Sequence, residues 1–232
     1  MNIVLTFSPT NQSLKVAQYF AKQLSWDLYD LTSYDNQNNF DYQKEFEYVV
    51  FSFPIHSQLI SIPVQEILKK VNGKYFILLG TYGKMGTGDV LNDAKRLIKG
   101  IVIGAALIPS KHTYKDNLEF IDYQELHELV LRVSKSEEIM IPKRKRNVFA
   151  KFYPNLRSRL NVKLNFNYRC IQCKQCELIC PTKAIKNFKF NNKCIRCLRC
   201  FNNCPIKGID VHYSLFLKMY LKKNKENRLI IY

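Results

Sequence analysis

All eight cysteines of the chain fall within two runs, "CIQCKQCELICP" at 170–181 and "CIRCLRCFNNCP" at 194–205. Each reads C-x2-C-x2-C-x3-C-P, the spacing that supplies three thiolates to one iron–sulfur cluster and the fourth to its neighbour. The proline after the last cysteine enforces a turn that carries that sulfur away from its own motif. Crossing the fourth ligand gives two expected [4Fe–4S] sites, one of Cys170, Cys173, Cys176 and Cys204, the other of Cys194, Cys197, Cys200 and Cys180. The alternative is a pair of tetrahedral zinc sites. A zinc ribbon, however, uses two separated CxxC knuckles, and three cysteines in successive steps of three would crowd one ion.

The 169 residues before Cys170 contain no cysteine. The opening "MNIVLTFSPT" lacks the basic and long apolar regions of a signal peptide, so a cytoplasmic location is expected, where clustered cysteines point to metal rather than disulfides. The longest apolar run, "IVIGAALIP", is too short to cross a bilayer, and no membrane span is expected. Over residues 163–212 the cysteines, the spacers, Pro181 and Pro205 resemble the bacterial two-cluster ferredoxins. That resemblance implies a small α+β domain that carries electrons. Gln172, Lys174, Gln175, Arg196 and Arg199 stand where such loops often hold small residues. Cations near a cluster stabilise its reduced, more negative form and raise its potential.

Charge follows the cysteine boundary. Residues 143–232 carry 22 Lys and Arg against Glu177, Asp210 and Glu226, a net +19, whereas residues 1–142 carry 14 against 16 acids, a net −2. Four thiolates on a +2 core leave about −2 per cluster, so the module stays basic when loaded. Ferredoxins of this motif are commonly small and acidic. The partner expected here is instead an acidic redox protein or reductase drawn in by the field. The run "KRKR" at 143–146 raises nucleic acid as a partner. No zinc-finger, RRM or helix-turn-helix pattern accompanies it, and charge runs are usually solvated faces.

At 232 residues with an abrupt boundary, one large and one small unit are expected. In the front part "NIVLTF", "EYVVFSF", "KYFILLG" and "GIVIGAALIP" read as buried strands. Between or after them, "SLKVAQYFAKQL", "IPVQEILKKV", "DVLNDAKRLIK" and "YQELHELVLRVSK" have helical periodicity, with Ser13 placed to cap the first. Buried strands alternating with helices imply right-handed crossovers and a parallel sheet covered on both faces, with ligands beyond the strand C-termini. Three loops lie there: "FSPTNQS" (7–13), "FPIHSQLISIP" and "GTYGKMGTGDV". The first brings hydroxyls and amides to a helix N-terminus, which favours phosphate; the plain alternative is an N-capped turn.

These loops resemble those of flavodoxins, whose phosphate loop is often F-S-x-T-G-N-T after the first strand. Ser8, Thr10 and Ser13 fall on its hydroxyl positions, Asn11 replaces a glycine and Gln12 a small polar residue. Asn tolerates left-handed backbone better than most residues. The resemblance implies a flavodoxin-like doubly wound parallel sheet of order 2-1-3-4-5 and bound FMN. It puts Ser8, Thr10, Asn11, Gln12 and Ser13 on the phosphate, and Pro54, Ile55, His56, Ser57, Thr81, Tyr82 and Gly83 along the flavin. Tyr82 is available to stack; His56 is either a flat side chain against the ring or a solvated loop histidine. No G-x-G-x-x-G opens a helix after a strand, so no bound NAD(P) is expected.

The whole chain therefore resembles the flavodoxin–ferredoxin fusion family. The expected division is a flavodoxin-like FMN domain at 1–142, a basic linker helix at 143–162, a two-cluster ferredoxin-like domain at 163–213 and a basic helix or tail at 214–232. Phe149, Phe152, Leu156 and Leu160 lie at helical spacing interrupted by Pro154, which reads as a broken helix with an apolar stripe; a flexible tether is the alternative. The expected function is electron transfer between FMN, two clusters and an external partner. No motif specifies a substrate, so the reading favours an electron carrier and leaves an oxidoreductase enzyme open. Two alternatives remain: a ferredoxin on a flavin-free docking domain, motivated by Pro9, Asn11 and Gln12, and an iron–sulfur protein bound to nucleic acid.

Overall fold

The Val-, Ile-, Leu- and Phe-rich runs form strands buried on both faces, which is why they show no polar alternation. The computed structural model describes residues 1–83, 85–114, 122–147, 154–222 and 228–232, with only the backbone for 154–157. The front part is built from β1 (Asn2–Thr6), α1 (Gln12–Leu24), β2 (Leu28–Asp30), α2 (Tyr34–Asn39), β3 (Glu45–His56), β4 (Leu59–Ile60), α3 (Ile62–Lys70), β5 (Asn72–Tyr82), α4 (Val90–Lys95) and β6 (Ile101–Pro109). A 3-10 turn at Gln124–Leu126 then runs into α5 (His127–Lys135).

Strands β2, β1, β3, β5 and β6 pair in parallel in that spatial order. This is the flavodoxin-like order, since β4 is only a short antiparallel arm folded back on the end of β3. One face of the sheet packs Phe7, Phe51, Phe53, Val64, Ile67 and Leu91; the other packs Val16, Phe20, Ile77, Leu79, Ile103 and Leu129. Loops after β1, β3, β5 and β6 consequently converge at one end of the sheet.

The remaining elements are α6 (Pro154–Asn161), β7 (Val162–Phe166), α7 (Gln175–Leu178), β8 (Ile185–Lys186), β9 (Lys189–Phe190), α8 (Arg199–Asn202), β10 (Ile209–Tyr213), α9 (Leu215–Leu221) and β11 (Ile230–Ile231). Antiparallel pairs β7–β10 and β8–β9 frame the cysteine motifs around a small core of Val162, Leu164, Ala184, Ile185, Leu198 and Ile209.

Several local expectations are revised. Ser13 does not cap α1: Asn11 occupies the cap position at φ 64°, while the Ser8 hydroxyl accepts the Leu14 N–H at 2.8 Å from outside the helix. Pro154 opens α6 rather than interrupting it, as its fixed φ and missing N–H suit a helix start. Phe149 and Phe152 lie outside the described residues, and Leu160 is 64% exposed, so it does not seat a buried stripe. The C-terminal segment joins the front sheet: β11 pairs antiparallel with β6 through Ile230↔Leu107 and Ile231↔Ala106.

Candidate cofactor cleft and cysteine sites

The converging loops form a cleft between the end of the front sheet and the C-terminal elements. Thr10, Gln12, Pro54, Ile55, His56, Ser57, Thr81, Tyr82 and Gly83 line it, nine of the twelve residues expected from the loops. Ser8, Asn11 and Ser13 are not on its wall. Ser8 is buried, its N–H donating to Thr32 Oγ1 at 2.7 Å. Ser13 is buried with its hydroxyl paired to Thr81 Oγ1 at 2.8 Å, which ties the first loop to the third. Asn11 is exposed, and its left-handed backbone sets the entry angle of α1.

Tyr82 is not presented for stacking. It is 2% exposed, packs in the core, and its hydroxyl donates to the Arg228 carbonyl at 2.6 Å while accepting the Arg228 N–H at 3.2 Å. This pins the segment that leads into β11. His56 lies in the cleft wall with Nε2 sealed from solvent and without a hydrogen-bond partner among the described residues. Burial pushes its pKa down to about 4, so the ring is neutral near pH 7.

Sequence reasoning missed part of the wall. Ser110, Lys111, His112, Thr113 and Tyr114, the loop after β6, line the cleft, as do Phe216, Leu217, Tyr220 and Leu221 around α9. The rule that selected the other three loops, a segment following a parallel strand, applies equally to "SKHTY". Gly83 shows how closely the third and fourth loops approach: a Cβ there would lie 2.4 Å from the His112 ring.

The cleft has a place that favours an anion. Thr10 and Gln12 stand at the N-terminus of α1, a 13-residue helix with no acid in its first turn, where the dipole favours negative charge. Pro54, Ile55, His56 and Tyr114 add apolar and flat surface to the cleft wall.

The cysteines separate into two quartets that mix the motifs. Cys170, Cys173, Cys176 and Cys204 ring one small cavity; Cys180, Cys194, Cys197 and Cys200 ring another. The sulfurs surround these cavities rather than meeting at one point, and among the described residues no three Cys, His, Asp or Glu side chains converge on a single-ion position. Crowding registers electrostatically. Burial, then the neighbouring Cys194 and Cys180, push the Cys197 thiol up to about 12; burial and the same neighbours with Cys197 raise Cys200. The last cysteine of each motif accepts a backbone N–H four residues on, Ala184 to Cys180 Sγ at 3.2 Å and Gly208 to Cys204 Sγ at 3.1 Å.

The quartets differ in surroundings. Cys180, Cys194 and Cys200 are buried and Cys197 is half-buried, whereas Cys173 is exposed and Cys170, Cys176 and Cys204 are half-buried. Beside the inner quartet, Ile195 and Cys197 pack against the front-sheet core. Tyr114 donates to the Arg196 carbonyl at 2.5 Å, and Arg196 Nε donates to the Val162 carbonyl at 2.9 Å; Tyr114 and Val162 both line the cleft. Arg196 Nη1 and Arg199 Nε are buried donors without partners among the described residues. Buried donors left unmade are costly; Arg199 lines the inner-quartet cavity, where acceptor sulfides would suit its Nε.

Residues 167–186 match a 4Fe-4S binding domain, and so do residues 191–216. The iron–sulfur character of the C-terminal part is thereby shown. Among solved structures, the chain is similar to a candidate flavoprotein from Bacteroides uniformis at 15% identity, covering 58% of this chain and 97% of that one with a TM-score of 0.36. No curated protein matches the chain. Among the described residues no helix is long and apolar enough to cross a membrane.

Proposed function

We propose that the protein is an electron-transfer iron–sulfur flavoprotein in which FMN in the cleft and two [4Fe–4S] clusters exchange electrons with an external redox partner. One observation carries this reading: Tyr114, on the cleft wall, donates a hydrogen bond to the carbonyl of Arg196, whose chain neighbours Ile195 and Cys197 both line the inner-quartet cavity. Bound FMN would supply two-electron chemistry beside clusters that each carry one electron.

The chain's own residues supply position and charge. Thr10, Gln12 and the α1 N-terminus receive the phosphate, with Asn11 turning the loop through its left-handed backbone and Ser8 and Ser13 holding it in shape through their inward hydrogen bonds. Pro54, Ile55, His56, Ser57, Thr81, Tyr82 and Gly83 line the ring end, and neutral His56 places no charge against it. Cys170, Cys173, Cys176 and Cys204 hold the outer cluster; Cys194, Cys197, Cys200 and Cys180 hold the inner one. The basic C-terminal part steers an acidic partner.

Flavin and iron content of anaerobically purified protein tests the reading. One FMN with about eight irons per chain supports it. Eight irons without flavin, even after FMN is added, would favour a ferredoxin carried on a flavin-free docking domain. The inward-tied hydroxyls of Ser8 and Ser13 are the observation on that side.

A further inference from the structure

We infer that the external partner is an acidic redox protein that docks over the outer quartet, on a face flanked by Tyr168, Ile171 and Leu178, and does not approach through the cleft. This rests on the proposed relay only in requiring that the clusters carry electrons.

Exposure separates the two ends of the module. Three of the inner quartet's four cysteines are buried, and Ile195, Cys197 and the Tyr114–Arg196 contact pack it against the front part. The outer quartet reaches the surface at Cys173. Large apolar side chains cluster in sequence around its ligands: Tyr168 before Cys170 is 89% exposed, Ile171 is 68% exposed, and Leu178 after Cys176 is 63% exposed. Exposed apolar groups beside a redox centre, rimmed by polar residues, are the composition of a protein-docking surface.

Charge identifies the occupant. Arg169, Lys174 and Lys207 are exposed on this side, and Arg169 lies against the Tyr168 ring at 5.6 Å. These three cations outnumber the module's two described acids, Glu177, whose Oε1 is buried, and Asp210, which accepts a hydrogen bond from Asn167 at 2.8 Å. An acidic rim on the partner would meet this cationic ring, while its apolar centre met Ile171 and Leu178. A rival surface exists on α9, where Leu215 and Met219 are 74% and 59% exposed beside the cleft. It lies against the cleft instead of a cysteine quartet, and is therefore the natural control.

The test uses the full metal-loaded chain, reduced with dithionite that is then removed, with wild type and variants compared at equal flavin content, and an oxidised acidic two-cluster ferredoxin as the probe acceptor in stopped-flow. Tyr168→Glu and Leu178→Glu are each expected to slow transfer at low salt by about tenfold, and Met219→Glu to leave it at the wild-type rate. Iron content and oxidation by neutral benzoquinone report whether each variant keeps its clusters; Arg169→Glu serves if one of the first two does not. Wild-type rates in the outer-face variants with slowing in Met219→Glu would overturn the assignment. Equal slowing in all variants, a mere net-charge effect, would overturn it too.

Discussion

His56, half-buried with its Nε2 sealed from solvent, shows how one side chain links the cleft to pH. Its pKa falls from 6.5 to about 4 because burial disfavours the imidazolium. Between those values the unfolded chain binds the extra proton and the folded chain does not, so stability is fully present above pH 6.5 and is lost as pH falls toward 4. His56→Asn is expected to lose stability less steeply than wild type across that window in parallel thermal melts; equal slopes would contradict it. Arg199 makes a second residue-level prediction. Its buried Nε and positive charge beside the inner quartet favour the reduced cluster, so Arg199→Gln is expected to lower the potential of the cluster held by Cys194, Cys197 and Cys200. EPR-monitored redox titration reads this, and Arg199→Lys should recover part of the shift.

At the scale of elements, the crossing of the fourth cysteine predicts that Cys180→Ala damages the inner cluster although Cys180 lies in the first motif; loss of the outer cluster's EPR signal instead would refute it. Gly83→Ala places a Cβ into the His112 side chain and is expected to cost about 1–3 kcal/mol in stability while weakening added FMN, measured by melting and fluorescence titration. The front sheet was legible because four of its parallel strands are continuous apolar runs. Strand β2 was not, since Leu28–Asp30 offers three half-buried residues and no such run. Nor was β11: two residues completing a sheet edge are fixed by β6 and by the Tyr82–Arg228 contact, neither of which is local in sequence. The cysteine quartets were legible through spacing alone. The cleft was read in part, because Ser13 looks like a cap residue until Thr81 is brought beside it from 68 positions away.

For the whole molecule, the separation of charge into a −2 front and a +19 rear means that encounter with an acidic partner is steered by one end. Transfer to such a partner is expected to slow steadily as ionic strength rises from about 0.01 to 0.15 M, where the screening length contracts from about 30 to 8 Å. Salt-independent rates would contradict it. Contacts between front and rear are spread along one seam: Gln37 donates to the Pro181 carbonyl at 3.2 Å, Lys183 pairs with Asp35 at 3.0 Å, and Tyr114 meets Arg196. The cleft and the inner quartet are thereby held together within a single chain. The measurement that bears most directly on the relay is flash photoreduction of the FMN-loaded, cluster-loaded protein under anaerobic conditions. The predicted result is reoxidation of the flavin at the same rate as cluster reduction, with a rate constant independent of protein concentration. A rate that scales with concentration, or flavin that stays reduced beside oxidised clusters of higher potential, would contradict it.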